Sequence, residues 1–188
     1  MHHKHSAKLP IILNTNDLAQ TRLFKIQEVE LEFSNGELRV FERLQPSTRQ
    51  AVIIAAVNER NEILLISEYA AGTERYELGL PKGLVDVGET IELAANRELQ
   101  EEVGMKAQNI KHISSLLLAP NYMSHSSELL LATELLVSKL KGDEPEPIEV
   151  VPCHLNEIDN LVMSGKIKEA RSIASLYIIK NYLSNHAI

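Results

Sequence analysis

The sequence predicts an α/β protein: a mixed β-sheet with helices packed against it, preceded by an N-terminal β-hairpin. Three observations predict it. Strand-like runs lie on both sides of one strongly helical central segment. Two segments near the N-terminus lean towards apolar–polar alternation and face each other across Asn35-Gly36. The C-terminal stretch carries apolar side chains at helical spacing.

Residues 1 to 10 read as a flexible tail. Its start, Met1-His2-His3-Lys4-His5, could chelate metal weakly, but reads as a polar tail or cloning remnant. Phe24 to Phe33 and Leu38 to Leu44 read as antiparallel strands, because Asn-Gly can adopt the positive φ angles of a tight hairpin turn. Pro46 and Ser47 punctuate the chain, so residues 11–46 form an N-terminal subdomain and 47–188 a second domain. Ala51 to Val57 and Ile63 to Ile66 are apolar strands with a turn at Asn58 to Asn61 between them; Arg75 to Leu80 is another strand. Thr90 to Val103 reads as one helix, buried along Leu93, Ala94, Leu99 and Val103 and stopped by Gly104. Strands follow at Ile110 to Leu118 and Glu128 to Val137, joined by the polar loop Asn121 to Ser127. Gly142 to Pro147 is an acidic, proline-containing loop. Leu155 to Met163 and Ala170 to Leu183 close the chain as helices, the second with Ile173, Leu176, Tyr177 and Ile179 at largely helical spacing.

Bulk composition narrows the function. Of 188 residues 44% are apolar and 4% aromatic, so the core is aliphatic. No apolar run is long enough to span a bilayer and no signal-peptide pattern opens the chain. The single cysteine, Cys153, cannot form an internal disulfide; it reads as inert, and the chain as cytoplasmic. The net charge of −7 and scattered Lys and Arg give no nucleic-acid stripe and argue against RNA decapping. An acidic protein repels an anionic phosphate substrate unless divalent cations lie between them.

The central helix supplies a place for such cations. Glu98 and Glu102 are four apart and share a face, and Glu101 borders it. Three carboxylates near a helix C-terminus repel one another and oppose the macrodipole, each conflict worth a few tenths of a kcal/mol or more. A hard cation, which takes oxygen ligands, removes the conflict. An acidic helix face by itself is ordinarily solvated surface; the surrounding pattern decides between the two.

That pattern is G-x5-E-x7-R-E-U-x-E-E-x-G-U, with U aliphatic. It is met at Gly83, Glu89, Arg97, Glu98, Leu99, Glu101, Glu102, Gly104 and Met105. It resembles the Nudix box, and the strand and helix order resembles the α/β/α sandwich of the Nudix hydrolases. The resemblance implies that Glu98 and Glu102 are the main ligands of Mg²⁺ (Mn²⁺ also suits), with Glu101 joining directly or through water. A backbone carbonyl near Lys82 and Gly83 would complete the site. It implies that Arg97 and Glu89 pair to hold the loop on the helix, and that Gly83 and Gly104 serve backbone geometry.

The flanks resemble the bacterial ADP-compounds hydrolases, near the ADP-ribose pyrophosphatases. These flanks include Glu68-Tyr69-Ala70-Ala71-Gly72-Thr73-Glu74-Arg75-Tyr76-Glu77-Leu78-Gly79, Gly142-Asp143-Glu144-Pro145-Glu146-Pro147 and Glu169-Ala170-Arg171. That group cuts ADP-ribose, diadenosine oligophosphates and NADH to release AMP, and its relatives are homodimers whose N-terminal hairpin reaches the partner's site. The resemblance therefore implies a small-molecule nucleotide substrate and a homodimer. It makes Glu144 or Glu146 the catalytic base, Glu146 ahead as a metal-site residue. Arg43 would reach a partner's phosphate or adenine, Glu77 the adenosine part, and Tyr122 would stack on a base. Three departures from the ADP-ribose pyrophosphatases favour the broader group: Ala70 follows Glu68-Tyr69 where arginine is usual, Gly79 stands where glutamate is usual, and no glutamate lies in the Asn121 to Ser127 loop. Other nucleoside diphosphate derivatives, or nucleotide binding without turnover, stay open. His112, His125 and His154 have no partner at metal-ligand spacing and read as surface or packed residues.

Overall fold

The computed structural model describes residues 8–46 and 50–186. The histidine-rich start (His2, His3, His5) and the boundary at Ser47 lie outside the described residues. Two compact units emerge. Of the described residues, one holds 8–46 together with 117–125; the other holds 50–116 and 126–186.

The N-terminal unit is a three-stranded antiparallel sheet, β1 (Ile11–Gln20), β2 (Lys25–Glu32) and β3 (Leu38–Leu44), in that spatial order. β1 adds a strand to the expected hairpin and is exposed along its whole length. The β2–β3 turn departs from the expected form. Gly36 has a positive φ of 84° but Asn35 does not, and Gly36 N donates to Phe33 O at 2.9 Å. Asn35 instead caps the turn, its Oδ1 accepting from Glu37 N at 3.1 Å. The 117–125 segment joins this unit through Leu44 N, which donates to Tyr122 O at 2.8 Å.

The larger unit contains two sheets. One runs β10 (Glu149–His154), β5 (Glu62–Ala70), β6 (Arg75–Gly79). The other runs β7 (Lys82–Leu84), β4 (Ala51–Ala56), β9 (Ser126–Val137), β8 (Met105–Leu117). β4 is antiparallel to β7 and parallel to β9, so that sheet is mixed. β4 is buried on both faces, which explains its unbroken apolar run. Ile53 and Ala55 face one core with Ile158, Leu176 and Ile179 from α2 (Ile158–Met163) and α3 (Ala170–Asn185). Val52, Ile54 and Ala56 face the other core with Ala94, Ala95 and Leu99. Helices thus cover both sides, as in the expected α/β/α sandwich. Each fully buried Leu or Ile contributes about 1.5–3 kcal/mol relative to exposure.

The expected turn at Asn58 to Asn61 is present, with Asn58 Oδ1 accepting from Arg60 N and Glu62 N, and the apolar runs on either side of it belong to different sheets. Two expectations change. Leu155 to Met163 is a 3₁₀ turn (Leu155–Glu157) followed by α2. The central helix is not uniform. α1 (Ile91–Glu98), capped by Thr90, gives way to a π-helical turn over Leu99–Val103, ended by Gly104 at φ 79° with an N–H bonded back to Leu99 O. Leu93 is 59% exposed rather than buried. The small Ala94 and Ala95 take the core face instead, where they let the helix approach β4 closely.

Candidate active site

The π turn and the end of α1 bring Glu98, Glu101 and Glu102 to one cavity of about 660 Å³, with Lys82, Arg97 and Glu144 also on its walls. Glu98 and Glu102 are 9% and 4% exposed, unusual for side chains of this type. Arg97 organises one side. It forms a two-pronged contact with Glu89, Nε to Oε1 and Nη2 to Oε2, both at 3.0 Å. Its Nη1 reaches Glu98 at 2.8 Å and Glu101 at 3.1 Å, and its Nη2 donates to Leu84 O at 2.9 Å. Glu89 also accepts from Asp86 N at 3.1 Å, so the loop is fastened to the helix. The Arg97 guanidinium holds Glu89 below the usual carboxylate range, and Glu89 pushes Arg97 upward in turn.

Burial pushes Glu98 up to about 6 against the pull of Arg97, and Glu102 up to about 8 against the pull of Lys82. Glu102 Oε2 accepts from Lys82 N at 3.0 Å. Gly83 is required by close approach: a Cβ there would overlap the Glu98 carboxylate. Among the described residues no three His, Cys, Asp or Glu side chains converge as a ready-made cage. The donors nevertheless fit a hard divalent cation. They are oxygens, and the two most buried carry a charge that burial disfavours and a cation would stabilise.

The two loop glutamates part company. Glu144 lines the carboxylate cavity, its side chain folded over Gly142, where a Cβ would collide with it. Glu146 lines a smaller neighbouring cavity and accepts a hydrogen bond from Tyr76 Oη. Glu77 lines a second cavity of about 490 Å³ that shares Glu68 and Lys82 with the first; its carboxylate pairs with Arg75 Nε at 2.6 Å, which lowers its pKa. Arg43 and Tyr122 meet in a separate pocket of the N-terminal unit, beside Phe33 and Phe41. Arg43 Nε is buried there with no hydrogen-bond partner among the described residues. His112 pairs with Glu128 at 2.7 Å across β8 and β9, and Cys153 is buried. Sequence reading missed the Lys82–Glu68 ion pair, 2.8 Å, on the wall shared by the two larger cavities. Its members lie on different strands and carry no local signal.

Comparison with known proteins decides the family. Residues 47–174 match the NUDIX domain and residues 10–43 the NudE-type Nudix hydrolase N-terminal domain. The chain belongs to the Nudix hydrolase family. As a Nudix pyrophosphatase it is 43% identical over 178 residues to the ADP compounds hydrolase NudE of Escherichia coli (strain K12), covering 95% of each chain. It is 26% identical to the ADP-ribose pyrophosphatase of Bacillus subtilis (strain 168), covering 89% of this chain and 94% of that one. A crystal structure of an ADP compounds hydrolase superposes with a TM-score of 0.92 at 42% identity, covering 97% of this chain and 98% of the other. In this Nudix fold the box glutamates Glu98, Glu101 and Glu102 lie where α1 passes into the π turn, while Gly83 lies on β7 and Glu89 in the loop before α1.

Proposed function

We propose that the protein hydrolyses the diphosphate linkage of ADP-containing compounds such as ADP-ribose, diadenosine oligophosphates and NADH, releasing AMP, with Mg²⁺ (or Mn²⁺) as cofactor. The observation that carries this is the cluster of Glu98, Glu101, Glu102 and Glu144 around one cavity. The whole-length similarity to the ADP compounds hydrolase of Escherichia coli supports the substrate class. Glu98 and Glu102 hold the cation, Glu101 assists, and the carbonyls at Lys82 and Gly83 offer further oxygens. The cation, when bound, neutralises diphosphate charge and makes water easier to deprotonate. Glu144 takes the proton from the attacking water. The water oxygen bonds to one phosphorus, the bridging P–O bond breaks in line, and the other phosphate leaves with the electron pair. Arg97 keeps Glu98 and Glu101 aimed at the cavity.

The same reading makes residues 11–46 a dimerisation subdomain and 47–188 the hydrolase domain. Ile11, Ile12, Leu38 and Val40 are exposed on the N-terminal sheet and are suited to burial by a second copy. A monomeric mass by light scattering would contradict it. Arg43 and Tyr122 are assigned to substrate through their shared pocket, and Glu77 to the nucleoside side of the second cavity. The buried Cys153 suits a reducing cytoplasm, which cell fractionation tests. No helix among the described residues is long and apolar enough to cross a membrane.

The deciding experiment is turnover of ADP-ribose, diadenosine triphosphate and NADH with Mg²⁺, beside Glu144→Gln. AMP release by the parent, reduced about 10²-fold or more in the variant, is expected. No release from any of the three moves the substrate to another nucleoside diphosphate derivative.

A further inference from the structure

The loop that carries Glu144 is tied unevenly to the fold. Its start is strapped to the π turn. Leu140 N donates to Gln100 O at 3.2 Å, Ser138 N to Gly104 O at 3.0 Å, and Ser138 Oγ to Gln100 Oε1 at 2.8 Å. Its end enters β10, where Glu149 pairs with Ser67. Between these ends, among the described residues, one hydrogen bond joins the loop to the rest of the fold: Tyr76 Oη donates to Glu146. Pro145 and Pro147 fix φ on either side of Glu146 and bring no N–H of their own. Whatever holds Glu146 therefore sets the path of Glu144, two residues earlier.

Tyr76 is well placed to do this. It sits on β6 directly across from Tyr69 on β5, and the two rings meet edge to face at 5.7 Å and 69°. That contact fixes the direction of the hydroxyl. A cavity of about 100 Å³, lined by Tyr69, Tyr76, Glu144 and Glu146, lies at the junction of the loop with β5 and β6, so packing there is incomplete. Tyr76 is 58% exposed, so a bond from its hydroxyl contributes little to the stability of the whole fold.

The geometry points to Tyr76 as a positioning residue for the hydrolysis: its hydroxyl grips Glu146 and so holds Glu144 over the carboxylate cavity. Glu146 is then an anchor, neither base nor metal ligand. The inference rests on the proposed role of Glu144, and its test separates the two. The carbonyl of a glutamine can still accept from Tyr76, whereas an alanine cannot.

The full-length variants Tyr76→Phe, Glu146→Gln, Glu146→Ala and Tyr76→Phe/Glu146→Ala are compared in two assays: kcat and KM for ADP-ribose with Mg²⁺, and amide hydrogen exchange over residues 141–148. In Tyr76→Phe and Glu146→Ala, kcat falls about tenfold with KM within about twofold, and loop exchange quickens. The double variant is no worse than either single one, and Glu146→Gln stays near the parent. Parental kcat in Tyr76→Phe, with or without faster exchange, overturns the positioning role. Glu146→Gln as impaired as Glu146→Ala also overturns it, and returns Glu146 to the chemistry. If the parent turns over none of the nucleotides, exchange decides. A loop that quickens in Tyr76→Phe upholds the anchor while the substrate reading fails; a loop that does not respond overturns the anchor.

Discussion

The two units of the chain break the usual relation between polarity and burial in opposite directions. The N-terminal sheet leaves Ile11, Ile12, Leu13, Leu38 and Val40 in solvent, whereas the larger unit buries Glu98 and Glu102. The all-apolar, all-buried β4 of the same unit shows the usual relation. Both exceptions are energetically unfavourable for the chain alone, the first through exposed apolar area and the second through desolvated charge. On the function proposed above, a second molecule would relieve each: a copy of the chain in one case, a cation in the other. Departures from local rules concentrate where function is proposed.

The strongest way to break this comparison is at the buried carboxylates. Glu102→Gln is expected to lower kcat/KM about 10³-fold while the protein stays folded, because the neutral side chain is what burial favours. Steady-state kinetics with circular dichroism checks both halves. Gly83→Ala follows, with a loss of about 10²-fold, since a new Cβ must displace the Glu98 carboxylate. Retained activity would show that Glu98 needs no fixed position.

The pH dependence of stability sharpens the point. Burial raises Glu102 from 4.5 to about 8 and Glu98 from 4.5 to about 6. Between those values the folded protein keeps protons that the unfolded chain has released. The resulting contribution to stability is full below about 4.5, declines as pH rises, and is gone above about 8. Magnesium competes with those protons, so the rise in Tm on adding it is expected to be larger at about pH 8.5 than at about pH 5.5. Glu102→Gln flattens the ion-free profile; an unchanged profile would remove Glu102 from the account. The smallest effect on the active unit itself is expected at the other exception. Val40→Glu on β3 reduces the solution mass from twice to once the 21.1 kDa of the chain, measured by light scattering. A parent that already runs as a monomer would break the comparison.

The box was legible in the sequence because its residues sit close together on one helix and two loops, so spacing translates directly into a face. The central apolar strands were legible because burial on both sides leaves a continuous apolar run. Other elements left weaker traces. β1 contains Asn14-Thr15-Asn16-Asp17 and is exposed throughout, so no alternation marks it. β7 has three residues, and β10 includes Pro152 at the edge of its sheet. The separation of Glu144 from Glu146 was not legible either, because it depends on Tyr76, 70 residues away on another strand.

The π turn at Leu99–Val103 is, in effect, one residue inserted into an otherwise ordinary helix. Removing Gln100 would restore standard helical phase, and by local criteria the element would improve. Glu98 and Glu102 would then stand three apart instead of four, still on one face of the helix. What would be lost is Gln100 itself, whose carbonyl accepts from Leu140 N and whose Oε1 accepts from Ser138 Oγ. The extra residue thus serves the neighbouring loop more than the helix: it is the peg to which the segment leading to Glu144 is tied.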